Sequence, residues 1–537
     1  MRVAEEFDYI IVGAGSAGCV LANRLSADPK NRVLILEAGG RDDWIWFHIP
    51  VGYLFAVGNP RSDWRYVTEK EKGLGDRAIM CPRGKVIGGS SSINAMVYIR
   101  GQAGDYDHWR QLGLVGWGWD DVVPFFKRHE DYYSGPSELF GAGGELRVEK
   151  QRVHWTALDV ARRAAEEMGI RWIDDFNSGD NEGMGDYLVT QKNGWRWSAA
   201  DAFLKPALKR PNLKLETETL CVRILFDGKR AAGIQYRQAG VSKTARARGE
   251  VILSAGSIGS AQLLLLSGVG PGAHLAERGI KPVIDKPGVG GNFHDHLQLR
   301  LQYQVEGVDT LNQRYHSLLR RAWIGLEYAL FRSGPLAMAP STLGMFVRSD
   351  PDQERADLGF NVVPYVRDHI SGPLGRQPGI TMSVYDLRPT SRGTLRLKSA
   401  DPGAHPELRF NYLSTERDRR VAANAIRVTR RMMAQPALAK YQPIETLPGP
   451  EVGDDEESLV RAAGEISTTI FHPVGSAKMG LPSDPMAVVD ARLNVIGLEG
   501  LRVIDAAVMP TVTSGNTNAP TMMIAEKGAA MVLEDAR

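Results

Sequence analysis

Short apolar runs that alternate with glycine-rich turns mark the beginning of the chain. Residues 9–12 form an uninterrupted apolar run, which predicts a buried parallel strand. The sequence Gly-Ala-Gly-Ser-Ala-Gly follows at 13–18, residues 17–25 predict a helix, and residues 32–36 form a second apolar strand that ends at Glu37. The pattern therefore predicts a strand–helix–strand unit with a Gly-x-Gly-x-x-Gly turn and an acidic residue at the end of the second strand.

A bound dinucleotide would give each of these residues a physical role. Gly13 permits a tight turn, Gly15 lets a pyrophosphate approach the backbone, and Gly18 lets the helix pack closely on the strand. The helix N-terminus offers N–H groups and a positive dipole end to phosphates. Glu37 can accept hydrogen bonds from a ribose hydroxyl. A tight turn without a ligand is the alternative, and the motif does not distinguish FAD from NAD.

The strand–helix pattern recurs later in the chain, and the order of the predicted elements then changes. Residues 250–256 predict another buried strand and residues 258–266 a helix. From about 300 to 460, strand and helix candidates mix, which predicts a separate lobe with an antiparallel sheet and helices on one face. The apolar helix at 318–331 is expected to pack in the core, with a dimer or membrane-surface contact as the alternative. Further predicted strands are 213–226, 232–237, 380–387, 393–397 and 501–504, and further helical segments are 107–130, 158–168, 199–209, 418–433 and 521–533.

Composition and charge limit the classes of function. A chain of 537 residues suits two large lobes, and 43% hydrophobic with 24% charged residues fits a soluble globular protein. The net charge of +2 gives no bulk electrostatic reason to bind nucleic acid or an anionic membrane. Cys19, Cys81 and Cys221 are far apart, so neither a metal site nor a disulfide framework is predicted. No apolar run is long enough to span a membrane, so we expect a cytoplasmic protein, with peripheral membrane association left open.

Three polar segments carry candidate chemistry. The stretch 83–96 is dense in glycine and serine, which suits a backbone that lies against a ligand; a flexible loop is the alternative. His472 and Asn516 lie in two late segments rich in turn residues. A histidine commonly takes a hydroxyl proton near neutral pH, and an amide beside it can hold the same oxygen; a structural role is the alternative for His472. His108 and His129 are expected to be structural or exposed rather than catalytic.

Four segments together resemble the glucose–methanol–choline (GMC) oxidoreductases, a family of FAD-dependent alcohol oxidases and dehydrogenases. The resemblance covers roughly residues 6–534. One departure is Ala261, where the family signature usually has Pro or Ser, and it affects no chemistry. The four segments are GAGSAG with Glu37, RGKVIGGSSSINAM at 83–96, GSIGSAQLLLLSGVGP at 256–271, and FHPVG at 471–475 together with SGNTNAPTMMIAEK at 514–527.

The resemblance implies both the cofactor and the roles of individual residues. His472 matches the family's catalytic histidine, which takes the alcohol proton while a hydride passes from the alcohol carbon to flavin N5. Asn516 matches the second active-site position, which is His or Asn across the family. The cavity is expected to be lined by Phe471, Tyr385 and Tyr365. The residues implied to hold FAD are Gly13, Gly15, Ser16, Ala17, Gly18, Glu37, Ala38, Gly88, Ser91, Asn94, Ala95, Met96, Val222, Ala255, Asp505, Ala506, Asn516 and Thr517.

The resemblance also defines what stays open. Some members link the flavin through a histidine in the 88–94 stretch, where this chain has Ile93, so FAD is expected to be non-covalent. The acceptor is O2 or a quinone-type compound, and a lyase or a photodecarboxylase of the same fold is the alternative to alcohol oxidation. Aromatic walls without an evident carboxylate cluster favour an uncharged primary alcohol. We expect no nucleic-acid partner, no metal, and a monomer or homodimer.

The predicted fold class is therefore an α/β, Rossmann-like FAD-binding domain with a parallel sheet, joined to an α+β substrate domain with an antiparallel sheet and helices. The chain is expected to cross between these two domains several times, so that the FAD-binding domain is discontinuous. The predicted parts are 1–155, 213–300 and 461–537 for the FAD-binding domain, and 156–212 and 301–460 for the substrate domain.

Overall fold

Two large sheets organise the chain. A computed structural model describes residues 5–367 and 372–536. Within these residues, the first sheet has seven strands in which parallel and antiparallel pairs mix. Its strands are Glu5–Val12, Val33–Leu36, Leu213–Glu216, Thr219–Asp227, Arg230–Gln238, Val241–Leu253 and Leu501–Val503.

The predicted strand–helix–strand unit forms the centre of this first sheet. The strand Glu5–Val12 pairs in parallel with Val33–Leu36 on one side and with Val241–Leu253 on the other. Its last four residues are all buried, as the unbroken apolar run predicts for a strand covered on both faces. Leu501–Val503 pairs in parallel with Val241–Leu253, so the end of the chain returns to the first sheet as expected.

The second sheet is antiparallel. Within the described residues it has seven strands, and the pairs that involve Leu297–Gln304, Leu343–Val347 and Gly379–Asp386 all run in opposite directions. Leu297–Gln304 spans residue 300, where a domain boundary is predicted. The strands are Gly183–Asp186, Leu297–Gln304, Leu343–Val347, Leu358–Val363, Gly379–Asp386, Ile444–Leu447 and Ser467–Thr469.

Helices cover both sheets, and shorter elements fill the connections. The longer helices are Ser16–Leu25, Ala103–Gln111, Trp119–His129, Thr156–Glu167, Gly256–Leu266, Leu318–Phe331, Glu416–Met433, Glu456–Ile466 and Asn518–Asp535. The shorter ones are Ile45–Phe47, Pro50–Gly52, Tyr53–Ala56, Lys72–Leu74, Gly89–Ser92, Ala200–Leu204, Lys205–Ala207, Gly272–Glu277, Leu311–His316, Pro335–Ala337, Pro436–Ala439 and Ala506–Val508. The remaining short strands are Tyr66–Val67, Met80–Cys81, Glu130–Tyr132, Leu146–Lys150, Leu188–Val189, Gln191–Lys192, Trp195–Arg196, Val269–Gly270, Ile284–Asp285, Thr394–Arg396 and Glu407–Arg409.

Three predicted elements differ from the structure. The single strand predicted at 213–226 is two strands, because the chain turns at Glu218, which has a φ of 55°. The helical region predicted at 107–130 is interrupted by a glycine-containing turn between Ala103–Gln111 and Trp119–His129. The prediction that 318–331 packs in the core is wrong, because only Ile324 and Tyr328 of that helix are buried.

No helix in the described part of the chain is both long enough and apolar enough to cross a bilayer.

Candidate functional site

A deep cleft lies at the carboxyl ends of the central strands of the first sheet. Val12 and Leu36, the last residues of two parallel strands, line it, and so do Ser254 and Asp505, which follow two others. The cleft holds about 1840 Å³ of space outside protein atoms, its open mouth included. This position is where open α/β sheets bind nucleotides.

Three helices begin at this cleft. Ser16–Leu25, Gly256–Leu266 and Asn518–Asp535 each contribute first-turn residues to its wall. The hydroxyl of Ser16 donates to Oδ1 of Asn518 at 2.7 Å, so two of these N-termini are in direct contact. Helix N-termini present N–H groups and a positive dipole end, and their convergence here favours a polyanion such as a pyrophosphate.

The glycines of the first motif bring backbone close to backbone. A Cβ on Gly18 would lie 1.8 Å from the carbonyl oxygen of Gly13, so only glycine allows the helix to approach the strand this closely. Gly13 has a φ of 99°, which favours glycine. A Cβ on Gly89 would lie 2.7 Å from Cα of Gly15, so the two glycine-rich loops touch. Beside Gly15 itself, the nearest atom to a built Cβ is 3.9 Å away, which leaves its face free for a ligand.

Glu37 is buried at the wall of this cleft. Its carboxylate accepts the backbone N–H groups of Ala14 (2.9 Å) and Gly39 (2.8 Å). Burial raises the pKa of Glu37 to about 7, against the lowering effect of these two hydrogen bonds. A carboxylate fixed in this way ties the glycine turn to the end of the second strand.

At another part of the cleft, His472 and Asn516 face each other, and a third side chain fixes the histidine. Asn516 Nδ2 lies 3.2 Å from His472 Nε2. His296 Nδ1 lies 3.0 Å from His472 Nδ1, and His296 Nε2 lies 3.1 Å from the carbonyl oxygen of Leu387. The predicted pair is therefore a cluster of three, and the sequence interpretation missed His296.

These contacts determine which nitrogen of His472 can act as a base. Because a carbonyl oxygen only accepts, Nε2 of His296 carries the proton that points to Leu387. Neutral His296 then accepts at Nδ1, so His472 donates from its own Nδ1. The lone pair of His472 is consequently on Nε2, where it accepts from Asn516. The cluster thus selects one tautomer and directs its basic nitrogen to the amide.

Both histidines are held in the neutral form. Burial, reinforced by His296 and Arg83, lowers the pKa of His472 well below its ordinary value. Burial also lowers the pKa of His296 to about 4. An imidazole that is neutral at neutral pH can accept a proton, which a general base must do.

Hydrogen bonds to Asp295 position the backbone of His472. Asp295 Oδ1 accepts the N–H of His472 at 2.7 Å, and its other oxygen accepts from the hydroxyls of Tyr412 and Thr469. Phe471, the residue before His472, has a φ of 71°, which is unusual for a residue with a side chain. Backbone conformations of this kind cluster at functional sites of proteins.

The turn before Asn516 is tied to the helix Ala103–Gln111. Asp105, near the start of that helix, accepts both the N–H and the hydroxyl of Ser514, at 2.6 and 2.8 Å. A Cβ on the intervening Gly515 would lie 2.3 Å from a side-chain carbon of Ile99, so the turn has no room for a larger residue there.

Most of the predicted site residues line this one cleft, and six do not. Gly18 and Gly88 shape the backbone around it, and Ser91 turns inward to bond Gly88 and the N–H of Ala199. Val222 is not in the wall, whereas its neighbour Cys221 is. Neither predicted tyrosine lines the cleft. Tyr385 is fully buried behind His296, and Tyr365 is not among the wall residues. The residues in the wall are Gly13, Gly15, Ser16, Ala17, Glu37, Ala38, Asn94, Ala95, Met96, Ala255, Phe471, His472, Asp505, Ala506, Asn516 and Thr517.

Known proteins resemble this chain over nearly its whole length. The family models described as GMC oxidoreductase match residues 7–298 and 389–525. Human mitochondrial choline dehydrogenase is 43% identical over 98% of this chain and 90% of its own length, and an alcohol dehydrogenase [acceptor] of Pseudomonas putida is 42% identical over 98% and 96%. The solved structure of a formate oxidase from Aspergillus oryzae RIB40, studied for FAD modification, superposes with a TM-score of 0.92 at 25% identity and 99% coverage of both chains.

A cleft of the dinucleotide-binding type that ends at a neutral histidine and an amide fits an oxidoreductase of the alcohol and choline class, the class of these relatives. The chain belongs to the GMC oxidoreductase family.

Proposed function

We propose that this enzyme oxidises an uncharged primary alcohol to the aldehyde, with His472 as the base and non-covalent FAD as the oxidant. The observation that carries the proposal is the lone pair of His472 Nε2, which is held toward Asn516 in the cleft by the hydrogen bond to His296. His472 would take the hydroxyl proton of the alcohol, and bound FAD would supply the acceptor for the hydride of its carbon, so that the aldehyde remains.

The residues present fit FAD along the whole cleft. Gly15, Ser16 and the start of the last long helix would face the pyrophosphate, and Glu37 would bind the ribose of a Rossmann-like FAD domain. Asn94, Ala95 and Met96, which also line the cleft, would lie along the rest of the cofactor. When bound, FAD supplies the hydride acceptor.

His472 and Asn516 act on the alcohol oxygen. An alcohol oxygen placed between them donates its O–H to Nε2 of His472 and accepts the amide N–H of Asn516, in place of the direct 3.2 Å contact. The base takes the proton, and the amide holds the oxygen without changing its own charge. Holding the substrate between two fixed groups supplies part of the rate enhancement.

The charges of the cleft favour a neutral substrate. Arg83 is in the wall and lowers the pKa of His472, so it also repels a cationic substrate at this end. The acidic residues among the wall residues are Glu37 and Asp505, and both carboxylates are engaged by backbone N–H groups. The wall contains the aromatic residues Trp64, Tyr66 and Phe471, but both of its carboxylates are already bound, so no free carboxylate is left to face a quaternary ammonium ligand.

Choline is the second candidate substrate, because the human relative that is 43% identical is named for it. A lyase or photodecarboxylase of the same fold is the alternative reaction, and O2 and quinones are the alternative acceptors. An anaerobic screen separates these possibilities. The holoenzyme is mixed with choline, benzyl alcohol and 1-hexanol, and the flavin absorbance is followed; air or a soluble quinone is then admitted.

We expect the uncharged alcohols to bleach the flavin and choline to leave it yellow. Bleaching by choline alone would contradict the neutral substrate, and a flavin that no alcohol bleaches would contradict alcohol oxidation. The rate of recovery with air or quinone identifies the acceptor.

Ile93 supports non-covalent binding of FAD. It is buried in the cleft wall at the place where a linking histidine would lie, whereas His108 is exposed on the helix Ala103–Gln111. We expect acid precipitation to release all flavin into the supernatant. Flavin that stays with the pellet would contradict the non-covalent assignment.

A further inference from the structure

The helix Leu318–Phe331 carries its apolar side chains on the outside of the protein. Leu319, Trp323, Leu326 and Leu330 follow one another at helical spacing and are 85%, 56%, 47% and 62% exposed. The opposite side of the helix packs on the protein. We call these four residues the outer ridge.

Small side chains lie on one flank of the outer ridge and charged ones on the other. On the helical wheel, Ala322 and Ala329 lie on one side of the ridge and are exposed. Arg320 and Glu327 lie on the other side, where Arg320 contacts Asp309 at 3.2 Å and Glu327 accepts from the hydroxyl of Ser333. A surface helix usually presents polar residues outward, whereas the outward centre of this helix is apolar.

Arginines lie around the outer ridge. The segment 309–332 contains four arginines, Asp309 and Glu327, which gives it a net charge of +2, and Asp309 pairs with Arg314 at 2.6 Å and with Arg320 at 3.2 Å. Arg321 is exposed and lies 5.7 Å from the ring of Tyr315. Arg332 ends the helix and lies over the ring of Trp195 at 4.5 Å. An apolar ridge with a basic margin and an exposed tryptophan matches the chemistry of a membrane interface.

This helix is also connected to the wall of the active-site cleft. The hydroxyl of Tyr328 donates to the carbonyl of Gly194 at 3.0 Å. The second connection starts from the short helical turn Pro335–Ala337, which follows the helix. Gln191 donates to the carbonyl of Ala337 at 3.0 Å and contacts the sulfur of Met96, which lines the cleft.

We propose that the outer ridge docks on a lipid bilayer that contains anionic phospholipids. The leucines and Trp323 would enter the boundary between headgroups and acyl chains, and the arginines would lie at the level of the phosphates. A second copy of this chain fits the surface less well, because a two-fold contact would bring together two copies of the same positively charged surface. The proposal rests on the surface alone and does not depend on which alcohol is oxidised.

Vesicle flotation with the purified holoenzyme tests the proposal. The vesicles are phosphatidylcholine alone, or phosphatidylcholine with about one third phosphatidylglycerol, at low and at high salt. The ridge variant combines Leu319→Gln, Leu326→Gln and Leu330→Gln, since glutamine favours a helix and the sites are exposed. The control variant combines Val115→Gln, Val241→Gln and Leu481→Gln, which are also exposed apolar residues, 84%, 59% and 44%.

We expect the wild type and the control to float with the anionic vesicles, and the ridge variant to bind about tenfold more weakly or not at all. Arg321→Gln should reduce the preference for anionic vesicles over phosphatidylcholine. All variants should keep their flavin and reduce it at the wild-type rate with a water-soluble alcohol.

Three results would overturn the proposal. The first is that the wild type binds neither kind of vesicle, and the second is that the ridge variant binds as strongly as the wild type. The third is that the wild type forms a dimer in lipid-free solution and the ridge substitutions dissociate it. The last result would identify the outer ridge as a contact between two copies of the chain.

Discussion

At the scale of single residues, the hydrogen bonds of His472 decide where its basic nitrogen points. His296 binds one side of the ring, so the lone pair lies on the side of Asn516. The pH dependence of the proton-accepting step follows from the lowered pKa of His472. Since only the neutral ring accepts a proton, the active form is complete above this lowered pKa and is lost as the pH falls through it.

We therefore predict that alcohol reduces the flavin at a constant rate around pH 7, and more slowly only at pH values well below 6.5. His472→Ala should keep FAD and slow this step by roughly 10²–10⁴-fold, the range for a positioned general base. Asn516→Ala should also slow it but leave the acid limb in place, because an amide does not titrate. Stopped-flow measurement of flavin reduction gives all three results. A His472→Ala enzyme that reduces its flavin at nearly the wild-type rate would return His472 to a structural role.

His296 is predicted to be a positioning residue. His296→Leu removes the acceptor for the Nδ1 proton of His472, and we expect flavin reduction to slow by roughly 10–100-fold, as when an orienting hydrogen bond is lost elsewhere. His296→Gln should restore much of the rate, because its amide oxygen can accept the same proton. The acid limb of the pH profile should move in the leucine variant, since the neighbour of His472 has changed.

Tyr385→Phe is the matched control for His296. Its ring packs 5.2 Å from that of His296, so it tests a change in the same buried layer that leaves the hydrogen bond between the histidines intact. Equal rates and identical pH profiles for His296→Leu and Tyr385→Phe would show that His296 only fills space.

At the scale of elements, the first strand–helix–strand unit depends on one close contact. The built Cβ of Gly18 would lie 1.8 Å from a backbone oxygen, which cannot move without the whole turn. Gly40, four residues after the second strand, has nothing within 4 Å of its built Cβ and no positive φ. These two glycines thus have opposite steric demands.

We predict that Gly18→Ala loses most of its flavin and destabilises the fold by about 1–3 kcal/mol or more, the usual effect of overpacking. Gly40→Ala should stay within about 0.5 kcal/mol of the wild type and keep its flavin. Flavin content after purification and the midpoint of thermal unfolding measure both effects. A Gly18→Ala protein with full flavin and an unchanged midpoint would contradict the packing role.

The elements that the sequence predicts well are those whose signal is local. The strand at 9–12 and the helix that follows are visible in a dozen residues, because a buried run and a glycine turn need no distant partner. The outward face of Leu318–Phe331 could not be predicted, because an apolar helix looks the same whether it enters a core or faces a membrane. The strand Leu297–Gln304 was missed although its strict alternation of apolar and polar residues is itself a local strand signal.

The candidate site follows the same rule. His472 and Asn516 stand in turn-rich segments whose resemblance to a family marks them. His296 is 176 residues from His472, and its contact exists only after the second sheet has formed. The one available signal was a histidine directly after Asp295 at the start of a strand, which the sequence interpretation did not use.

At the scale of the whole molecule, the site lies where the two sheets meet. His296 precedes a strand of the second sheet, His472 follows another, and Asn516 precedes the helix that ends the first lobe. Within the described residues, five buried histidine rings have lowered pKa values: His129, His274, His294, His296 and His472. The unfolded chain can protonate all of them below about pH 6.5, whereas the folded chain resists this.

His129 allows this effect to be measured away from the active site. The ring is completely buried near Phe126 and Phe203, at centroid distances of 6.2 and 6.4 Å, and its pKa is lowered to about 3, first by burial and then by Arg100 and Arg24. A lowered pKa of a histidine means that stability is fully present above about pH 6.5 and is lost as the pH falls from there toward 3. Each pH unit in this window costs about 1.4 kcal/mol for one such group.

We predict that His129→Phe gains about 2 kcal/mol in the free energy of unfolding relative to the wild type when the pH changes from about 8 to about 5. Phenylalanine fits the aromatic surroundings and has no proton to bind. The raised pKa values of Glu37 and Asp505 act in the opposite direction, but they are common to both proteins and cancel in the difference. His108→Phe on the exposed surface is the control and should show no such gain. Thermal unfolding of the three holoenzymes at both pH values measures the difference, and an equal gap between His129→Phe and wild type at pH 8 and pH 5 would mean that His129 is protonated as easily in the folded chain as in the unfolded one.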